Sequence, residues 1–156
     1  MRRAAIPAFL ALALLFVPVA QAQQPQAASE DSLRADRARH VSAIRQSIQG
    51  RENLPGDSVF KNLKILGGVP ADRILRMMEM GYSPALGVSC DYCHEVDDWS
   101  SDRKQEKNVA RGMVEMVRTI NTQLLRGIPG IKSGNPAVNC GMCHQGNPRP
   151  GARQGQ

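Results

Sequence analysis

One five-residue pattern occurs twice in this sequence and uses every cysteine of the chain. Residues 90–94 read Cys-Asp-Tyr-Cys-His, and residues 140–144 read Cys-Gly-Met-Cys-His. Cys-x-x-Cys-His is the attachment pattern of c-type haem, in which two thiols bond to the vinyl groups of one haem and the histidine binds its iron. The sequence therefore predicts two covalently bound haem c groups, attached through Cys90, Cys93, Cys140 and Cys143, with His94 and His144 as proximal iron ligands.

Three other kinds of site also use paired cysteines: a disulfide, a zinc site and a thioredoxin-like redox motif. Zinc could take four cysteines at this spacing, but it does not require a histidine directly after each second cysteine. A thioredoxin-like motif lies in a βαβ pattern, and none is visible here. The duplication and the secretory leader described below favour haem.

The aromatic content bears on how such a chain can form a core. Only 4% of the 156 residues are aromatic, which is low for a self-sufficient core. Two haems would supply large, flat apolar bodies on which helices can pack. We therefore expect a mostly α fold, a small multihaem c-type cytochrome with helices packed on two covalently bound haems, little or no sheet, and a poorly folded apo form.

The basic character of the chain is a weak indication of nucleic-acid binding. The formal net charge is +6 at pH 7, and Arg2 and Arg3 lie in the leader, which leaves 18 basic and 14 acidic residues and a charge of +4. Four haem propionates would bring the protein near neutrality with ferrous irons and to about +2 with ferric irons. We therefore expect no nucleic-acid partner, and arginines and lysines that pair with propionates or face solvent.

The first 22 residues have the features of a signal peptide. A cationic start precedes an apolar run, and residues 20–22 read Ala-Gln-Ala, which fits a cleavage site before Gln23. The uninterrupted apolar stretch, residues 8–17, is short for a membrane anchor of about 20 residues, and no cysteine follows it for lipid attachment. Export to the periplasm agrees with haem attachment outside the bacterial cytoplasm. We expect a linker over residues 23–31, a two-haem cytochrome c domain over 32–146 and a disordered tail over 147–156.

Apolar spacing predicts three main helices. The first covers residues 32–49 and stops at Gly50, the second runs from Pro70 through Tyr82 and stops at residues 84–87, and the third and longest covers 103–126. Between them we predict a turn at 53–57, a short extended segment at 60–66 and a polar loop at 97–102. His40 is expected on the surface of the first helix, with distal haem ligation as the alternative.

Each haem motif follows a helix that carries two methionines one turn apart. Met77 and Met80 precede the first motif, and Met113 and Met116 precede the second. Residues at i and i+3 share a helix face, so one methionine of each pair could bind iron while the other packs on the porphyrin. Core packing is the alternative for all four, and we assign Met142, inside the second motif, to packing.

An ordered series of short segments extends the pattern beyond the haem motifs. The segments are Asn-Leu-Lys-Ile-Leu at 62–66, Arg-Met-Met-Glu-Met at 76–80, residues 87–94, Ser-Asp at 101–102, Val-Ala-Arg-Gly-Met-Val-Glu-Met at 109–116, Ile-Asn at 120–121, and residues 138–146. Over about residues 62–150 the chain resembles the cytochrome subunit bound to photosynthetic reaction centres of purple and related bacteria. In that family a helix lies alongside each haem and supplies its distal ligand. The resemblance implies Met77 as the distal ligand of the first haem and Met113 as that of the second.

The resemblance also implies a function. The family subunit has four haems and commonly a lipid-anchor cysteine, whereas this chain has motifs for two haems and so resembles one half. By resemblance it is an exported carrier of single electrons that rereduces a photo-oxidised primary donor, with reaction-centre subunits at the membrane as its redox partner. A free-standing respiratory carrier and a two-haem redox enzyme such as a peroxidase are the alternatives. We predict no enzyme activity, because both irons have a candidate methionine ligand and few residues remain for a substrate pocket.

Overall fold

Helices joined by irregular loops make up the computed structural model of this protein, which describes residues 29–151. The predicted mostly α fold is confirmed. Backbone pairing of the β type is limited, in that range, to isolated bridges between Pro55 and Pro70 and between Glu95 and Asp98. The α-helices are α1 (Glu30–Ser47), α2 (Gly56–Val59), α3 (Ala71–Met77), α4 (Ser83–Leu86), α5 (Gln105–Thr119) and α6 (Cys140–His144).

The predicted signal peptide lies outside the described residues, as do positions 23–28 of the predicted linker and 152–156 of the predicted tail. Across residues 29–151 we find no helix with the length and apolarity needed to cross a membrane.

Helix α1 begins where side-chain capping begins. The Ser29 hydroxyl accepts a hydrogen bond from the Ser32 N–H at 3.2 Å, and Glu30 and Asp31 occupy the first turn. Both features stabilise a helix N-terminus, where backbone N–H groups lack intrahelical partners. The helix ends at Ser47, and a turn follows that closes at Gly50, which has a φ of +81°. The predicted first helix is confirmed, with bounds of Glu30 and Ser47 in place of residues 32 and 49.

Two helical segments contain a wide π turn directly after their α-helix. Met78–Tyr82 joins α3 to α4, and Ile120–Leu124 extends α5 toward a 3₁₀ turn at Leu125–Gly127. The second and third predicted helices are therefore confirmed as helical runs, but each changes its winding part of the way along. A π turn adds a residue to one turn, so it shifts which side chains share a face beyond it.

The packed core lies between α1 and α3. Val41 and Ile48 from α1 and its C-terminal end pack with Ala71 and Leu75 from α3, and all four side chains are buried. None of the residues of α5 is buried. The polypeptide therefore forms a core in its first half and leaves α5 without buried residues.

One prediction about a loop is wrong. Residues 60–66 do not form an extended segment, because Asn62 and Leu66 have φ values of +56° and +68°, in the left-handed region that a strand cannot use. The predicted end of the second helix at residues 84–87 is confirmed: Gly87, with a φ of +65°, ends it, while Pro84 lies in the first turn of α4.

The second haem motif is held at two places, one on α4 in the first half of the chain and one at the end of the α5 run. The Gly146 N–H donates to the Ala85 carbonyl at 2.9 Å, beside Gly87. The Asn121 side chain donates to the Val138 carbonyl at 3.0 Å and accepts from the Val138 N–H at 2.7 Å. These contacts place α6 against α4 and against the end of the α5 run.

Candidate haem-binding sites

The first motif is wound as a tight helical turn. Cys90–Tyr92 forms a 3₁₀ turn, and the N–H groups of Cys93 and His94 both donate to the Cys90 carbonyl, at 3.3 and 3.1 Å. Cys90 is also connected to α1, because its N–H donates a long hydrogen bond of 3.5 Å to Asp36 Oδ2. A turn of this kind places both thiols and the imidazole within one short arc, as attachment to a single haem requires.

A largely apolar cavity of about 510 Å³ lies beside this turn. Cys90, Cys93 and His94 line it, together with apolar side chains of α1, α3 and residues 59–66, and with Trp99. This volume lies within the roughly 300–1,000 Å³ of small-molecule and cofactor pockets, which are likewise mostly apolar. The residues present therefore fit a haem attached at the first motif.

The titratable groups of the first motif suit metal ligation by the histidine and do not suit a thioredoxin-like site. Burial, followed by the Lys107 cation, lowers the pKa of His94 to about 4, so the imidazole is neutral and can offer a lone pair to a metal. Its Nδ1 is buried and has no hydrogen-bond partner among the described residues. Burial raises the pKa of the Cys93 thiol to about 11, whereas a thioredoxin-like cysteine needs a lowered pKa.

Met77 and Met80, the two candidate distal ligands of the first haem, do not line this cavity. Met78 lines the cavity with Ile74, four residues earlier on the same face. Met77, the last residue of α3, is half-buried and is not among the lining residues, and Met80 is 75% exposed. The distal assignment of Met77 therefore stays a prediction, with Met78 as its structural neighbour to be tested against it.

The predicted surface position of His40 is wrong. Its side chain is 17% exposed and lines the cavity from α1. Its Nε2 lies 3.3 Å from Asp36 Oδ1, and its ring meets Trp99 edge-on, with centroids 5.5 Å apart. Trp99 also lies 5.3 Å from the His94 ring. Sequence reasoning missed Asp36 and Trp99 as parts of this site, although a lone tryptophan five residues after a haem motif was a usable signal.

The second motif forms a helix of its own, α6. The Asn139 side chain caps it by accepting from the Met142 N–H at 3.2 Å. His144 Nδ1 lies 2.9 Å from the Asn147 carbonyl oxygen, so it carries the proton and donates it, leaving Nε2 free for a metal. Such a bond to a backbone carbonyl is the usual way in which a ligating histidine is oriented.

Apolar surface is left uncovered in this second half of the chain. On α5, Val109, Met113 and Met116 recur at four- and three-residue steps on one face and are all exposed, with Met113 at 40%. Met142 on α6 is exposed as well. Met113, the predicted distal ligand, therefore lies on a helix face that nothing within residues 29–151 buries. The residues present fit a second large apolar group here.

In the described part of the chain the cysteines form neither a disulfide nor a cluster of zinc ligands. All four thiols are free rather than disulfide-bonded. Within residues 29–151 no three His, Cys, Asp or Glu side chains are grouped so that they could hold a metal ion.

Known proteins resemble this chain over most of its length. The family model described as photosynthetic reaction centre cytochrome C subunit matches residues 18–153. Cytochrome c-554 of Chloroflexus aurantiacus is 36% identical over 87 residues, which are 56% of this chain and 20% of that protein. The photosynthetic reaction center cytochrome c subunits of Rubrivivax gelatinosus and Thermochromatium tepidum are 34% and 31% identical over 97 and 116 residues, covering 60% and 67% of this chain and 24% and 27% of theirs.

The chain thus spans between a fifth and somewhat over a quarter of the length of these relatives. The matched family is one of c-type cytochromes, which carry electrons through covalently bound haem, and both sites described above suit that cofactor. With a family model that extends over residues 18–153, this chain belongs to the photosynthetic reaction centre cytochrome c subunit family.

Proposed function

We propose that this chain is an exported carrier of single electrons with two covalently bound haems, which rereduces the photo-oxidised primary donor of a reaction centre. The supporting observation is that both halves of the chain, each with one Cys-x-x-Cys-His turn, leave apolar surface that the polypeptide does not cover itself. At the first motif this surface is a cavity of about 510 Å³, and in the second half it is the exposed face of α5.

The proposed attachment sites are the two motifs. Cys90 and Cys93 hold the first haem with His94 as proximal ligand, and Cys140 and Cys143 hold the second with His144. Met77 and Met113 are the proposed distal ligands. The neutral, buried imidazole of His94 and the orientation of His144 by the Asn147 carbonyl support these roles.

The chemistry that haem supplies when bound is the cycling of its iron between Fe(II) and Fe(III). The residues of the chain bind and orient the cofactor and control its surroundings. Ile74, Leu75 and Trp99 line the first cavity and would give a bound haem apolar surroundings. A methionine thioether as distal ligand favours the reduced iron and raises the potential.

Export and domain organisation form part of the proposal. Residues 1–22 direct the chain to the periplasm, residues 23–31 act as a linker, residues 32–146 form the two-haem domain, and residues 147–156 form a tail. The partner is the periplasmic surface of reaction-centre subunits at the membrane, so that the chain is membrane-associated through its partner. This partner is suggested by the names of the Rubrivivax and Thermochromatium relatives.

The first experiment is an optical spectrum of the reduced holo-protein with and without CO, with haem counted per chain. Two haems and no CO shift are expected, because a closed six-coordinate iron has no free position. A chain with zinc or without iron would refute haem binding. A spectrum in which CO binds one haem would mean an accessible iron and would favour the peroxidase alternative.

The partner is tested separately, by flash oxidation of isolated reaction centres in the presence of the reduced protein. Rapid rereduction of the donor, slowed by salt if charged surfaces guide docking, is the expected result. Rereduction no faster than that by an unrelated cytochrome of equal potential would instead indicate a free-standing respiratory carrier.

A further inference from the structure

Three cationic side chains meet one carboxylate at the wall of the first cavity. Lys64 Nζ lies 2.7 Å from Asp102 Oδ2, while Arg111 Nη1 and Lys107 Nζ lie 2.9 and 3.4 Å from Oδ1. Lys107 and Arg111 are 12% and 14% exposed at the side chain. All three cations line the cavity, whereas Asp102 is not among the lining residues.

This cluster has more positive charge than it can balance. The hydrogen bonds from Lys64 and then Asn62 hold the pKa of Asp102 well below its usual range, so it supplies one negative charge against three positive ones. Lys107 also donates to the carbonyls of Trp99 and Ser101. These acceptors are neutral, and they leave the surplus charge in place.

The same surplus extends around the cavity. Its described lining includes two carboxylates, Asp97 and Asp98, and five cations, namely Arg51, Lys61, Lys64, Lys107 and Arg111. Arg51, Lys61 and Lys64 reach solvent, but Lys107 and Arg111 are largely buried, and a buried cation is costly unless an anion pairs with it. The wall is therefore suited to a ligand that is apolar in its body and carries two negative charges.

We propose that Lys64, Lys107 and Arg111 bind the propionate carboxylates of the haem attached at Cys90 and Cys93, with Asp102 holding the three cations together. This inference rests on the proposed haem binding at the first motif. Haem has an apolar macrocycle and two propionates, and its two negative charges equal the surplus of the cluster. A guanidinium can bind a carboxylate through two parallel hydrogen bonds, which also fixes its orientation.

The proposal gives the cluster an effect on redox potential. Positive charge near the haem favours the ferrous state, which has one positive charge fewer than the ferric state. Arg111→Gln is therefore expected to lower the midpoint potential of one haem, while Asp102→Asn, which removes the one anion of the cluster, is expected to raise the midpoint of the same haem. The measurement is an optical redox titration of each holo-protein, with haem counted per chain.

A matched control is available on the same helix. Arg118, paired with Glu115 at 3.2 Å, is 57% exposed, and Arg118→Gln removes the same charge. It should shift either midpoint by less than a third of the Arg111→Gln effect, because solvent screens an exposed charge. If Arg111→Gln does not mature, Lys64→Gln takes its place, since Lys64 is half-exposed and pairs with the same carboxylate.

The possible outcomes separate the cluster from the haem assignment. Opposite shifts of one midpoint with two haems per chain support the propionate site. Shifts of the same sign, as expected if either change merely loosens the fold, or unchanged midpoints would overturn it while leaving haem binding intact. An unaltered chain that carries no haem at the first motif would refute the proposed function itself.

Discussion

The two haem motifs share a sequence pattern but lie in different surroundings. The first is a 3₁₀ turn beside a cavity with walls from α1, α3 and the Trp99 loop, next to the packed core. The second is a capped helix in the half of the chain where α5 has no buried residue. The polypeptide thus builds much of the surroundings of the first motif itself, whereas within residues 29–151 the apolar face of α5 stays exposed.

The amount of uncovered apolar surface in each half indicates how much each haem would stabilise the folded protein. Many more apolar side chains line the first cavity, from α1, α3 and residues 59–66, and each one that a haem covers contributes about 1 kcal/mol. Their sum is comparable with the whole stability of a typical domain, about 5–15 kcal/mol. Covering three half-exposed side chains on α5 contributes only about 2–4 kcal/mol. The first haem should therefore matter much more for folding than the second.

Removal of each attachment in turn gives the largest expected effect and tests this comparison directly. Cys90→Ser with Cys93→Ser should abolish accumulation of folded protein, because the cavity beside the core is left empty. Cys140→Ser with Cys143→Ser should give a folded chain with one haem and a modestly lower melting temperature. Haem content and thermal unfolding by circular dichroism measure both. Equal losses from the two pairs would mean that the sites depend on their haems to the same degree.

The distal ligands are the next comparison. Met77→Leu keeps the apolar volume but removes the thioether, so it should lower one midpoint and open that iron to one CO per chain. Met78→Leu, on the cavity wall, should leave both irons closed if Met78 only packs. Met113→Leu should affect the other haem in the same way as Met77→Leu. CO binding by Met78→Leu and not by Met77→Leu would transfer the first distal ligand to Met78.

Met77 and Met78 also show how much of the site could be predicted from the sequence. The main helices follow from periodicity and are confirmed, whereas haem attachment at the two motifs stays a prediction. Which methionine faces the cavity depends on how α3 packs: Met78 shares the face of Ile74, four residues earlier, and periodicity alone does not show that this face lines the cavity. The position of His40 depends on the packing of the Trp99 loop, distant in sequence, on α1. The prediction of an extended segment at residues 60–66 is wrong because Asn62 and Leu66 have left-handed backbones. In each case tertiary contacts outweighed the local pattern.

At the junction between the two halves, a glycine-to-alanine change is expected to lower the free energy of unfolding more than it does in an ordinary turn. Gly87 has a φ of +65°, and a Cβ at this position would overlap the carbonyl oxygen of Gly146, just after α6. Gly87→Ala should cost about 1–2 kcal/mol for the left-handed backbone alone, and more for the displaced contact. Gly50→Ala is the matched control, because Gly50 has a similar φ of +81° and its Cβ would meet nothing within 4 Å. Chemical denaturation measures both, and equal midpoints would show that α4 and α6 do not need this close approach.

The smallest expected effect concerns the other attachment of the second motif. Asn121→Ala removes both hydrogen bonds to Val138, at a cost of only about 1 kcal/mol, because water can reach that half-buried peptide. Because the second site is the one that the polypeptide covers least, we expect the loss to appear as faster amide exchange over residues 138–146, with little change around residues 90–94. Thr122→Ala is a neighbouring control that removes one exposed side-chain hydrogen bond to the Arg118 carbonyl. Exchange that rises equally at both motifs would mean that the two haem sites unfold as one unit, and that their different surroundings do not give them separate stabilities.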